Sequence, residues 1–72
     1  MPVDPFDLIG KQVPAADGGN YGHLIVDYIP AAGDFKVVPI CWSTGDPLYP
    51  DGGPQFLDAR KASYRYQLDK AR

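Results

Sequence analysis

The sequence predicts a small α+β domain: an antiparallel three-stranded β-meander, or at least a hairpin, followed by a long turn region and one C-terminal α-helix. Three observations predict it. Two runs rich in β-branched and aromatic residues, His23–Ile29 and Phe35–Trp42, are separated by five residues that include Gly33, which is the pattern of a hairpin. The 72 residues include eight Gly, eight Pro and nine Asp but no Glu, and Asp favours turns and caps where Glu favours helix interiors. From Gln55 to Arg72 there is neither Gly nor Pro, so the one long helix is expected there.

The leader opens with Pro2 and Pro5, so residues 1–9 read as an extended arm. A short strand of weak patterning is expected at about Leu8–Val13. Residues 22–42 form the hairpin. Strict alternation puts Leu24, Val26 and Tyr28 on one face of its first strand, and His23, Ile25, Asp27 and Ile29 on the other. In the second strand Lys36, Val38, Ile40 and Trp42 share a face, and Phe35, Val37 and Cys41 share the opposite one. Neither strand is cleanly one-sided, so the sheet is expected either to be covered on both faces or to leave one for a partner. Pro39 lies mid-strand, which assigns its strand to an edge with the missing amide outward and places the first hairpin strand in the centre.

Residues 43–53 form a turn region rich in Pro, Gly and Asp. Gly53-Pro54 suits a helix start, giving a helix over 54–70 whose residues 55 to about 70 span about 24 Å. A helical wheel gathers Phe56, Leu57, Tyr64, Leu68 and Ala71 into one sector, the expected core face. Lys61, Arg65 and Arg72 fall together on its flank as a basic stripe.

Charge is divided along the chain. Residues 1–57 carry Lys11 and Lys36 against seven acids, a balance of −5, whereas residues 58–72 carry five bases against Asp58 and Asp69, a balance of +3. A chain this short buries only about 60% of its unfolded surface, so a partner is a reasonable contributor to its stability. One cysteine excludes an internal disulfide. The start MPVDPFDLIG lacks the features of a signal peptide, and no stretch approaches the roughly 20 apolar residues of a membrane span. A cytoplasmic chain without membrane contact is expected.

Catalytic constellations are weak. His23, Asp27 and Cys41 can be brought near one another by the hairpin, but Cys41 between Ile40 and Trp42 reads as an inert core thiol. One Cys and one His do not make a structural zinc site, so no metal or cofactor is expected. Asp17-Gly18-Gly19-Asn20 leads into a strand rather than a helix, so it is a turn and not a phosphate cradle. No enzymatic activity is expected.

Two segments have binding character. Val3, Phe6, Leu8 and Ile9 set apolar groups on the proline-stiffened arm, either to dock on a partner or to fold back over the open sheet face. If the arm docks, deleting residues 1–9 removes binding and leaves the fold intact; if it is core, the fold is lost. Tyr64-Arg65-Tyr66 beside the basic stripe suggests a single-strand binder, against which stand the acidic body and the assignment of Tyr64 to the core.

The arm MPVDPFDLIG, the strands HLIVDYIP and FKVVPICWS and the tail LDARKASYRYQLDKAR, in a tiny acidic chain, resemble in size and layout the small phage regulators of host RNA polymerase. Those proteins block initiation at host promoters and suppress termination. The resemblance implies a monomer in the host cytoplasm, docked near the RNA exit channel on the largest catalytic subunit. It also implies action with an elongation factor to hinder hairpin formation in the nascent RNA. The segments that fit such a role are the arm, with Val3, Phe6, Leu8 and Ile9 as anchors, and the stripe Lys61, Arg65 and Arg72, facing RNA or an acidic polymerase surface. The alternatives are a nucleic-acid-binding module using the basic helix, and another phage anti-host, anti-defence or structural protein.

Overall fold

A computed structural model describes residues 4–15, 19–48 and 55–71. It is α+β: a four-stranded antiparallel sheet with one C-terminal helix. A 3₁₀ turn at Pro5–Leu8 leads into β1 (Gln12–Pro14), β2 (Tyr21–Ile29) and β3 (Asp34–Cys41), then β4 (Gln55–Asp58) and α1 (Ala59–Lys70). The strands lie side by side in chain order, so the meander has four strands rather than three.

The β2–β3 hairpin forms where expected. Its turn closes with the Gly33 amide donating to the Ile29 carbonyl at 2.9 Å, and Gly33 has φ of 68°, a conformation costly for any residue with a Cβ. Strict alternation fails in β2. The register shifts between Ile25 and Asp27, so one extra residue, Val26, is inserted and the core face passes from Ile25 to Tyr28. Tyr28 therefore pairs with Phe35 and packs against the core.

That core is Leu8, Val13, Ile25, Phe35, Val37, Ala59 and Ala62, with Tyr28, Leu57 and Tyr66 partly buried against it. On the other face Ile40 is buried too, and the Trp42 ring lies over Gly22, the cross-strand partner of Ile40. The sheet is thus covered in part on both sides.

Pro39 is not on an outer strand, because β3 lies between β2 and β4. β4 reaches only Asp34–Val37, however. Beyond it the Leu48 amide donates to the Pro39 carbonyl and the Cys41 amide to the Asp46 carbonyl, both at 2.8 Å. The proline nitrogen faces that same side, away from β2, so no rung of the β2–β3 ladder is lost.

Three further expectations are corrected. The first strand lies at Gln12–Pro14 rather than Leu8–Val13, because the chain turns at Pro5–Leu8 before it pairs. The helix begins at Ala59, not Pro54: Gln55–Asp58 pair with β3, and the Asp58 carboxylate accepts from the amides of Arg60 at 2.9 Å and Lys61 at 3.1 Å. Asp58 is therefore the N-cap, and the helix measures about 18 Å for its 12 residues. The core face also has a different phase. Ala59 and Ala62 are buried and Tyr66 packs beside them, while Tyr64 and Leu68 are 63% and 48% exposed and Phe56, in β4, is exposed. Small residues let the helix backbone approach the sheet closely, which leaves the larger side chains outside.

Candidate functional site

Of the arm, residues 4–9 are described, and they are not extended. The Asp4 carboxylate accepts from the Phe6 amide at 3.0 Å, and Pro5 takes the first position of the turn, where its missing amide is no loss. The Asp7 amide then donates to the Asp4 carbonyl at 2.9 Å. Beyond the turn, the Gly10 amide donates to the Ile25 carbonyl at 2.7 Å and the Ile25 amide to the Lys11 carbonyl at 2.9 Å, fastening the segment to β2.

The turn divides the four expected anchors. Leu8 is 2% exposed and belongs to the core, so it is unavailable as a docking residue. Deleting residues 1–9 therefore removes part of the core, contrary to the expectation for a free arm. Phe6 and Ile9 remain 56% and 39% exposed on either side of it. Val3 lies outside the described residues. Phe6 is not loose: its ring meets Tyr28 edge-to-face at 5.0 Å, and Tyr28 meets Phe35 at 5.5 Å. A row of three rings thus connects an exposed phenylalanine to the centre of the core.

Beside this turn lies a groove of about 620 Å³, lined by Pro5, Tyr28, Gly33, Ala59, Ser63 and Tyr64 among others. On the outer side of α1 a second, shallower depression of about 440 Å³ is lined by Arg60, Lys61, Tyr64 and Arg65. The stripe is therefore altered from the expected one. Lys61 is exposed, Arg65 is half-buried and donates from Nη1 to the Pro14 carbonyl at 3.5 Å, and Arg72 lies outside the described residues. Arg60 joins them, and Tyr64 sits among the cations rather than in the core.

Cys41 is half-buried, and the turn after β3 gives it a polar setting. Its Sγ lies 3.6 Å from Ser43 Oγ, which in turn bonds the Asn20 amide group at 3.0 Å. Hydrogen bonds from the Thr44 side chain, the Ser43 side chain and their backbone amides lower the thiol from its ordinary 9.0 to about 7. It is half-buried rather than part of the core in which its neighbours in the chain suggested it would lie. His23 is buried on β2, and its Nδ1 has no hydrogen-bond partner among the described residues. Burial, and then the nearby Arg65 charge, hold its pKa below the usual 6.5. Its ring meets Tyr21 at 5.9 Å.

Among the described residues no three of His, Cys, Asp and Glu are gathered to hold a metal ion, and no helix is long and apolar enough to cross a membrane. Sequence reasoning missed Arg60, Tyr28 and the Ser43–Thr44 pair. The signal for the turn was present, since Asp4-Pro5 is an N-cap followed by proline. Comparison of the chain with protein-family models, with curated proteins and with solved structures finds no match.

Proposed function

We propose that this chain is a non-enzymatic phage regulator that binds host RNA polymerase, inhibiting initiation and suppressing termination, and that the Pro5–Leu8 turn is its docking element. The resemblance of size and layout points to the polymerase. The observation that carries the docking role is the exposure of Phe6 and Ile9 on either side of the buried Leu8. Buried Leu8, the Asp4 cap and the ring contact with Tyr28 hold the two apolar side chains in place before any partner arrives. Such preorganisation lowers the entropy lost on binding, and a large aromatic presented this way is the usual kind of interface anchor. The adjoining groove gives room for a complementary side chain of the partner.

In-vitro transcription with bacterial RNA polymerase tests the regulatory role. Added chain is expected to reduce initiation at a host promoter and to raise read-through at a hairpin terminator; unchanged transcription on both templates refutes it.

A further inference from the structure

We infer that the outer face of α1 binds a short single-stranded nucleic acid, with Tyr64 stacking on one unpaired base and Arg60, Lys61 and Arg65 contacting the flanking phosphates. The four residues line one depression of about 440 Å³, and among the described residues no acidic side chain contributes to it. At about 100° per residue, Tyr64 projects about 40° from Arg60 and lies between it and Lys61, with Arg65 beyond. An exposed ring is thus set among three cations, the combination that holds single strands by base stacking and phosphate attraction.

The acid closest in sequence to Arg60 and Lys61 is already engaged, and Asp69, one turn beyond Arg65, does not line the depression. Asp58 precedes the helix with its carboxylate turned onto the amides of Arg60 and Lys61. Arg65 is tied at one nitrogen by the long bond to Pro14, which orients its planar fork and leaves other donors for a phosphate. Such binding is opposed by the acidic body and would be prevented by a buried Tyr64. The second does not hold, and the first limits the contact to a few phosphates rather than abolishing it. Arg60 and Tyr64 also line the groove beside the N-terminal turn, so the two sites adjoin along this edge of α1, and the inference does not depend on docking by the turn.

Anisotropy of a short labelled oligouridylate, titrated with the full chain at low salt, is the test. Binding is expected to weaken with salt at a slope of about −2 in log K against log salt, as three phosphates on a single strand require. Tyr64→Ala is expected to weaken it about tenfold and Tyr64→Phe to leave it near the parent value, since stacking needs the ring and not the hydroxyl. Oligothymidylate is expected to bind comparably, because neither contact senses a 2′-hydroxyl, and duplex is expected to bind less. Absence of binding at low salt, duplex binding as tight as single-strand binding, or Tyr64→Ala binding like the parent would overturn the inference. Circular dichroism checks each fold. If Tyr64→Ala does not fold, Tyr64→Leu, which keeps apolar bulk without the aromatic plane, replaces it with the same expected loss.

Discussion

Leu8 and Phe6 are two residues apart in one four-residue turn, and they have opposite roles. Truncating Leu8 removes a fully enclosed side chain, at a cost of about 2–5 kcal/mol. A chain of this length has about 4–11 kcal/mol in total at the usual stability per residue, so Leu8→Ala consumes much of the fold. Phe6 is exposed beyond its edge contact with Tyr28, and its truncation spares the core. Cys41 offers a second residue-scale test. With the thiol lowered to about 7 by Thr44 and Ser43, its alkylation rate is expected to rise with a midpoint near that pH. Thr44→Ala should move the midpoint toward the ordinary value. A parent midpoint near 9 would show that those hydrogen bonds do not form in solution.

Among the elements, α1 depends on its cap more than on the apolar side chains of its exposed side. Asp58→Ala removes the acceptor for two amides and is expected to cost about 1 kcal/mol, whereas Leu68→Ala, on the exposed side, should fall within about 0.5 kcal/mol of the parent. Chemical denaturation of both variants checks the contrast, and a large loss at Leu68 would restore the helix phase expected from the sequence. The hairpin was legible because its signals are local: two β-branched runs and Gly33 between them. The bulge at Val26 was not, since the parity of β2 is decided by its pairing with β3. β4 was hidden for a similar reason, as four residues without Gly or Pro read equally as the start of a helix. The helix phase was misread because two alanines count for little on a hydropathy wheel beside Tyr64 and Leu68, although their small size is what permits close packing. At the candidate site, Phe6 and Ile9 were legible as apolar arm residues. Leu8 was not distinguishable from them until the turn placed it on the other side. Tyr64 followed the helix phase, and its exposure became visible only once Ala59 and Ala62 were seen to face the sheet.

Across the whole molecule the buried histidine links stability to pH. The folded state holds His23 neutral below its usual 6.5, through burial and then Arg65. The unfolded chain therefore binds the proton first on acidification, so stability is full above about 6.5 and falls as pH drops toward the lower folded value. Thermal midpoints measured between neutral and mildly acid pH should decline for the parent and flatten for His23→Gln; an equal decline in both would assign the effect to other groups. The divided charge takes on a shape in the fold. The basic residues of α1 form an outward face that carries an exposed tyrosine, and the N-terminal turn presents two apolar side chains on a rigid mount. Docking by that turn is the claim on which the functional proposal rests. It is tested most directly by measuring the affinity of purified bacterial RNA polymerase for the parent and for the Phe6→Ala/Ile9→Ala chain, with both folds checked by circular dichroism. The parent is expected to bind and the double variant, still folded, to bind at least about tenfold more weakly; a parent that does not bind, or a double variant that binds equally well, would refute docking by the turn.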